Sequence, residues 1–203
     1  MTLLIIARHG NTFEPHEIPR RVGARTDLPL VEKGREQAAA LGRYLRENGM
    51  LPEAVYASQL KRAVETAELA LAAAKFKLPV RQTDIFNEID YGIDENRPEE
   101  EVKARLGEQA LKDWDEKGVV PPGWEADPAA LIRNWRDFAV HIVGEHPQGT
   151  VLVVTSNGVA RFAPQLAAFD AYPKLSTGAL GILHYEDDGA GWNLEGWNIR
   201  PGA

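Results

Sequence analysis

The chain has 203 residues, no cysteine and a formal net charge of -7 at pH 7. The lack of cysteine excludes disulfides, thiol catalysis and thiolate metal sites, and the acidic balance argues against nucleic-acid binding, which needs a basic face. No apolar run reaches the roughly 18 residues of a membrane span and the N-terminal residues lack a signal-peptide pattern, so we expect a cytoplasmic protein with neither a membrane nor a nucleic-acid partner.

The first half of the chain alternates between short apolar runs and amphipathic stretches. Residues 3–7 form a continuous apolar run, which is typical of a strand buried on both faces of a parallel sheet. A loop rich in Pro, Arg and Gly follows at 11–29. The pattern then predicts a helix at 32–48, a strand at 54–57, a helix over 60–71 and a strand at 80–83. Ser58 is predicted to cap the second of these helices.

The second half begins with a polar, irregular segment at 84–128, which we interpret as an insertion that holds one or two helices. The pattern then predicts a helix at 131–144, a strand at 150–156, a helix at 158–168, and two last strands joined by a turn at Asp188–Gly189. Because strands and helices alternate, we expect one domain over 1–203 with a three-layer α/β/α fold. Its sheet is predicted to be mostly parallel, with an antiparallel edge and the helical insertion over the carboxyl ends of the strands.

Polar side chains follow several predicted strands, at the edge of the sheet where sites form in open α/β folds. They are Arg8 and His9 after the first strand, Arg62 after the second, Glu88 after the third, and Ser156 and Asn157 after the late apolar strand. Two guanidinium groups beside an imidazole suit a phosphoryl group, because guanidinium forks match phosphate oxygens and a neutral imidazole can attack phosphorus. A carboxyl beside a phosphate has a raised pKa, which suits Glu88 to protonate a leaving group.

Five stretches resemble, in order, the motifs of the histidine phosphatase superfamily, also called the phosphoglycerate mutase-like family. They are ARHGNT, GARTDLPLVEKGREQA, VYASQLKRAVETAE, NEIDYG and VLVVTSNGVAR. The resemblance implies that His9 accepts the phosphoryl group, that Arg8 and Arg62 bind it, and that Glu88 is the proton donor. It also implies a hydroxyl near the phosphate at Thr12, and no metal or organic cofactor. The predicted phosphate-binding set further includes Asn11, Ser156 and Asn157.

The chain departs from the family's pattern at Ser156, where the late motif normally carries a second histidine. Serine offers a hydrogen bond but no positive charge, and the loss of one such donor in other enzymes lowers the rate by on the order of 10²–10³. Our hypothesis is that a cation from the 11–29 loop fills the space near Ser156. The candidates are His16, Arg20, Arg21 and Arg25.

These observations predict a metal-independent phosphomonoester hydrolase that acts on a small phosphorylated substrate through a phosphohistidine on His9. Two alternatives remain. One is a phosphomutase, although Pro15 and His16 occupy the region where the family's mutases tend to carry an asparagine. The other is a pseudophosphatase that binds phosphate without turnover, which only Ser156 favours. The resemblance also makes a homodimer a reasonable expectation.

Overall fold

The computed structural model describes residues 1–187, 189 and 191–202, and at its centre lies a mixed six-stranded sheet. The strands are β1 (Thr2–Arg8), β2 (Ala54–Ala57), β3 (Val80–Gln82), β4 (Thr150–Thr155), β5 (Leu180–Glu186) and β6 (Gly191–Ile199). Their order across the sheet is β3-β2-β4-β1-β5-β6. The first four strands in this order run parallel, and β5 pairs antiparallel with both of its neighbours, β1 and β6. The predicted mostly parallel sheet with an antiparallel edge is therefore confirmed; the turn predicted at Asp188–Gly189 lies partly outside the described residues.

Five α-helices accompany the sheet in the described part of the chain. They are α1 (Glu32–Glu47), α2 (Lys61–Ala73), α3 (Glu99–Lys117), α4 (Pro128–Glu145) and α5 (Asn157–Ala160), with short 3₁₀ helices at Asp84–Phe86, Gly92–Asp94 and Ala163–Ala167. None of the helices within these residues has the length and apolar character that crossing a bilayer requires.

Strand β1 is buried on both faces, which explains why its sequence is continuously apolar. Ile5 and Ala7 lie in a core cluster with Leu41 of α1 and with residues of α2. Leu4 and Ile6 point to the opposite side of the sheet, because successive side chains alternate between the two faces of a strand. They lie in a second cluster with Trp135 and other residues of α4. Helices thus cover both faces of the sheet, and the predicted three-layer arrangement is confirmed.

Two predicted helix boundaries differ from the structure for local reasons. Helix α4 begins three residues earlier than predicted, because the side chain of Asp127 accepts a hydrogen bond from the Ala130 N–H (3.0 Å) and Pro128 occupies the first turn, where proline is favoured. The helix predicted at 158–168 is instead α5 followed by the 3₁₀ helix at Ala163–Ala167. Pro164 lacks the N–H that a continuous α-helix would need there.

The prediction that Ser58 caps α2 is wrong, because the cap comes from a distant segment. The N-cap residue of α2 is Leu60, whose side chain makes no capping hydrogen bond. The Lys61 N–H instead donates to Asp27 Oδ1 (2.7 Å) in the loop that follows β1. A tertiary contact thus supplies the acceptor that the helix end requires.

The 84–128 segment is attached to the 11–29 loop. The Arg21 N–H donates to the Arg97 carbonyl (2.8 Å), and Arg20 forms an isolated β-bridge with Pro98 just before α3. Helix α3 itself is interrupted at Gly107, whose φ of 78° and ψ of 160° are not helical. The two segments together form much of the wall of one cavity, which lies beside the carboxyl end of β1.

Candidate active site

The carboxyl ends of β1 and β4, which are neighbours in the sheet, lie beside a cavity of about 630 Å³. The cavity brings together eight of the residues predicted for the site. They are Arg8, His9, Asn11, Thr12, Arg20, Arg21, Glu88 and Asn157. Segments that lie far apart in the sequence therefore deliver cations, an imidazole and a carboxyl to one space.

His9 is held as a neutral imidazole whose unprotonated nitrogen faces Arg62. Its Nδ1 lies 2.8 Å from the Gly10 carbonyl oxygen, and because a carbonyl only accepts, Nδ1 must carry the proton. The other nitrogen, Nε2, accepts a hydrogen bond from Arg62 Nε at 3.2 Å. Burial lowers the pKa of His9 well below its ordinary value, and the positive charges of Arg62 and Arg8 lower it further. The imidazole is therefore uncharged near neutral pH, with the Nε2 lone pair directed toward Arg62.

Arg62 is fully buried and is fixed by three hydrogen bonds, although it is a charged residue in the first turn of α2. Besides the bond to His9, Nη1 donates to the Thr26 carbonyl (2.8 Å) and Nη2 to the Gly23 carbonyl (3.2 Å). These bonds compensate the guanidinium for the water that it loses on burial. They also hold Nε against His9, so that a phosphoryl group bound at Nε2 would meet this cation.

Glu88 is a buried carboxyl, 6% exposed, whose two oxygens both accept backbone hydrogen bonds. Oε1 accepts from the Ile89 N–H (2.9 Å) and Oε2 from the Gly158 N–H (3.1 Å). Burial raises the pKa of Glu88, although these backbone donors and the charges of Arg62 and Arg8 act in the opposite direction. A carboxyl of this kind can hold its proton at a higher pH than an exposed glutamate, which is what a proton donor needs.

The asparagines of the predicted phosphate-binding set also position the segment before β5. Asn157 Oδ1 accepts a hydrogen bond from the Leu175 N–H (2.8 Å), and Asn11 Oδ1 accepts one from the Thr177 hydroxyl. Arg8 Nη1 donates to the Leu175 carbonyl (2.9 Å), whereas its Nε is buried without a partner in the described structure. The wall of the cavity beside Arg8 is thus built by side chains from three distant segments.

Ser156 is not among the residues that line the cavity. It is 1% exposed, and its buried hydroxyl has no hydrogen-bond partner among the described residues. The part in phosphate binding that the sequence predicts for Ser156 therefore stays a prediction.

Of the four loop cations considered as substitutes for a second histidine, Arg20 and Arg21 line the cavity and His16 and Arg25 do not. Arg21 pairs with Glu99 (2.6 Å) and lies over the ring of Tyr91. Arg25 is engaged by Asp90 (2.8 Å). The hypothesis that a loop cation compensates for Ser156 stays a prediction, and the cavity lining restricts it to Arg20 and Arg21.

Among the lining residues that sequence reasoning missed are Tyr91, Lys174 and Thr177. Tyr91 is buried against Trp124, with the ring centroids 4.7 Å apart, and burial and the neighbouring Glu88 raise its pKa. Its position in NEIDYG, three residues after Glu88, was an available signal. Lys174 and Thr177 precede β5 in a segment without a recognisable motif. Within the part of the chain that the structure describes, no group of three or more His, Asp or Glu side chains is placed to hold a metal ion.

Comparison with known proteins gives a consistent set of relatives. The model of the histidine phosphatase superfamily (branch 1) matches residues 4–200. A 2,3-bisphosphoglycerate-dependent phosphoglycerate mutase 2 of Gloeobacter violaceus is 34% identical over 161 residues, which cover 78% of this chain and 71% of the relative. A phosphoglycerate mutase of Mycobacterium tuberculosis is 37% identical over 120 residues, 59% of this chain, and this match spans about half of the relative's length (47%).

A solved structure with a similar fold is a mycobacterial glucosyl-3-phosphoglycerate phosphatase in complex with VO3. Its TM-score to this chain is 0.81 and its sequence identity 22%, and the match covers 97% of this chain and 98% of the other.

Proposed function

The chain belongs to the histidine phosphatase superfamily, and from this premise we propose that it hydrolyses small phosphomonoesters through a phosphohistidine on His9. The observation that carries the proposal is the pairing of His9 with Glu88 at one cavity. The imidazole has a lowered pKa and the carboxyl a raised one. An unprotonated nucleophile and a protonated acid are the two states that the first chemical step requires.

The first step is attack of His9 Nε2 on phosphorus. A P–N bond forms as the bond from phosphorus to the ester oxygen breaks, and the departing alkoxide takes the proton of the Glu88 carboxyl. Arg62 Nε, which donates to Nε2 in the structure, transfers its hydrogen bond to a phosphoryl oxygen. Because Arg62 is fixed by its other two bonds, it is already in place when negative charge is redistributed over the phosphoryl oxygens.

The second step releases phosphate. The Glu88 carboxylate accepts a proton from a water molecule, whose oxygen attacks phosphorus as the P–N bond breaks. Glu88 is then protonated again, and the Nε2 lone pair of His9 is available for the next turnover. The cavity supports water as the acceptor, because it is large and its lining includes many charged and polar side chains.

A phosphomutase is the second candidate, and the similarity to the phosphoglycerate mutases favours it. A mutase shares the first step but returns the phosphoryl group to an organic hydroxyl. The two functions therefore differ in the group that accepts the phosphoryl group from His9, which is water in a phosphatase and an organic hydroxyl in a mutase. The experiment must identify this acceptor.

The test is hydrolysis of phenyl phosphate between about pH 5 and 8 by the wild type, by His9→Asn and by His141→Asn. His141 is exposed on α4, so it serves as a matched control. We expect slow turnover, a phosphoenzyme that survives alkaline quenching but not acid, and the loss of both in His9→Asn only. A rate that depends on an added bisphosphate primer would identify a mutase. Phosphate binding without a phosphoenzyme would identify a pseudophosphatase.

A further inference from the structure

We propose that a second anion-binding site, formed by Lys174, Arg200 and Arg8, adjoins the phosphoryl pocket and binds a carboxylate or second phosphate group of the substrate. The proposal rests on the proposed function, since it names the class of phosphomonoester that the same site would take. The structural basis is a separate cavity of about 360 Å³. Its lining residues are Arg8, Gln37, Lys174, Ser176, Thr177 and Arg200.

The composition of this cavity is the first argument. It is lined by three cations, an amide and two hydroxyls, and by no carboxylate. The chain as a whole is acidic, with 30 acidic and 23 basic residues. A cavity whose charged lining residues are all cations is therefore unlike the rest of the molecule. The catalytic cavity, in contrast, mixes cations with the carboxylates of Glu14, Glu17, Glu88, Glu99 and Asp115. A site with cations and hydrogen-bond donors but no acid favours an oxyanion.

The second argument is that its cations lack acidic partners. Among the described residues, no carboxylate lies within ion-pair distance of Lys174 or Arg200, and both side chains are exposed. Arg200 Nη2 donates to the Ser176 hydroxyl oxygen (3.2 Å), which leaves the Ser176 proton available to a ligand. Arg8 Nε is buried, and no residue in the described part of the chain accepts a hydrogen bond from it. These groups can therefore bind an anion without first breaking an ion pair.

The third argument is continuity with the catalytic cavity. Arg8, Lys174 and Thr177 line both spaces, and Arg8 precedes His9 directly. The proposal places the phosphoryl group of one molecule at His9 and a second acidic group of the same molecule between Lys174 and Arg200. An anion that came from solution rather than from the substrate would meet the same groups, so the test must separate these two sources.

Hydrogen bonds hold the segment that contributes to both cavities, which favours a defined geometry for such a ligand. Gln37 of α1 accepts a hydrogen bond from the Asn11 N–H (2.8 Å) and donates one to the Thr177 carbonyl (3.2 Å). The Thr177 hydroxyl donates to Asn11 Oδ1, and the Gly178 N–H donates to the His9 carbonyl (3.1 Å). Because these contacts fix the segment between Lys174 and β5 relative to His9, the distance between the two anion sites is set by the fold.

The experiment compares phenylphosphonate with its 2-, 3- and 4-carboxy derivatives, which cannot be hydrolysed, by calorimetric titration. We expect at least one carboxy isomer to bind about tenfold more tightly than phenylphosphonate, because a charged hydrogen bond to a cation adds an affinity of this order. Lys174→Met and Arg200→Met should each remove this advantage. Arg200→Met, whose side chain does not line the catalytic cavity, should also leave phenylphosphonate binding unchanged. Lys77→Met and Arg43→Met, which remove exposed cations outside both cavities, should retain it.

Titration with inorganic sulfate separates the two sources of the anion. One outcome is that the wild type binds two sulfates per chain and Lys174→Met binds one, while the carboxy isomers bind no more tightly than phenylphosphonate. This outcome would confirm the second anion site and show that it takes a free anion from solution. Equal affinities for all four phosphonates together with a single sulfate site would overturn the proposal. Hydrolysis of phenyl phosphate, measured separately, tests the proposed function. Failure of the second anion site is therefore distinguishable from failure of the proposed function.

Discussion

His9 and Glu88 have their pKa values shifted in opposite directions, and this decides how they can work together. With ordinary values of 6.5 for histidine and 4.5 for glutamate, a neutral imidazole and a protonated carboxyl are rarely present at the same pH. Burial disfavours the charged form of each group, so it lowers the first pKa and raises the second. The two required states can then coexist over a broader range of pH.

The dependence of kcat/KM on pH tests this arrangement at the level of single residues. We expect the acid limb, where His9 becomes protonated, to lie well below pH 6.5, and the alkaline limb to lie above 4.5 because Glu88 must keep its proton. Glu88→Gln should remove the alkaline limb and lower kcat by about 10²–10⁴ for phenyl phosphate. The loss should be smaller for 4-nitrophenyl phosphate, whose leaving group needs less protonation.

The profile is corrected for the titration of the substrate itself, measured on the free ester. An acid limb centred at 6.5, or an equal loss for both esters in Glu88→Gln, would contradict the assignment of these two roles.

Ser156 provides a second prediction for a single side chain. Its buried hydroxyl has no hydrogen-bond partner among the residues that the structure describes, and an unpaired buried polar group destabilises a protein. We therefore expect Ser156→Ala to raise the free energy of unfolding by about 1 kcal/mol. Because Ser156 does not line the cavity, kcat/KM should stay within about threefold of the wild type, since a contact with the transition state would contribute far more.

Urea unfolding and phenyl phosphate kinetics check the two parts of this prediction. A tenfold fall in kcat/KM would show that the hydroxyl reaches the phosphoryl group during the reaction, as the sequence predicted.

The position of the Glu88 carboxyl depends on the turn between β4 and α5. The Gly158 N–H in the first turn of α5 donates to Glu88 Oε2 (3.1 Å). A Cβ at this glycine would overlap the carboxyl group of Glu88. The close approach of this backbone to Glu88 thus depends on the absence of a side chain at position 158.

Gly158→Ala should therefore displace the Glu88 carboxyl. We expect kcat for phenyl phosphate to fall about tenfold or more, because the proton donor moves away from the leaving oxygen, and the free energy of unfolding to fall by about 1–3 kcal/mol through overpacking. Gly144→Ala is the matched control, since a Cβ there meets nothing within 4 Å. The control should keep its activity and gain about 0.5–1 kcal/mol in helix stability. Wild-type activity in Gly158→Ala would contradict the assigned role of Glu88.

For the molecule as a whole, the buried imidazole connects the site with the stability of the fold. The pKa of His9 in the folded state lies below its ordinary value of 6.5, so the unfolded chain takes up a proton that the folded chain does not. The folded state loses stability from this source as the pH falls below 6.5, by up to about 1.4 kcal/mol for each pH unit, until the folded pKa is reached. More than about one unit above pH 6.5, the imidazole is neutral in both states and the contribution is constant.

Urea unfolding of the wild type and of His9→Asn at pH 7.5, 6.5 and 5.5 measures this contribution. Asparagine retains a donor for the Gly10 carbonyl but does not titrate. We expect the wild type to lose about 1 kcal/mol relative to His9→Asn between pH 6.5 and 5.5, and only about 0.4 kcal/mol between pH 7.5 and 6.5. The exposed His141 provides the control, and a difference between wild type and His9→Asn that does not change with pH would contradict a buried, neutral His9.

The sequence by itself determined most of the elements and the chemical groups that we propose for the site. The apolar run of β1, the amphipathic pattern of α1 and the residues Arg8, His9, Arg62 and Glu88 were all readable, because periodicity and motif spacing are local properties of a chain. Burial, in contrast, depends on every segment that packs around a group. The sequence therefore left three matters to the tertiary structure.

The tertiary structure decided which groups are hydrogen-bond partners, which groups are desolvated, and which residues without a motif line the cavity. Asp27 instead of Ser58 meets the start of α2, since an acceptor from a distant loop arrives only when the chain is folded. Burial sets the direction of the pKa shifts of His9 and Glu88. Lys174 reaches the cavity because the hydrogen bonds of Asn11, Gln37 and Asn157 bring its segment beside β1. Long-range contacts of this kind have no local signature, which is why only the folded chain reveals them.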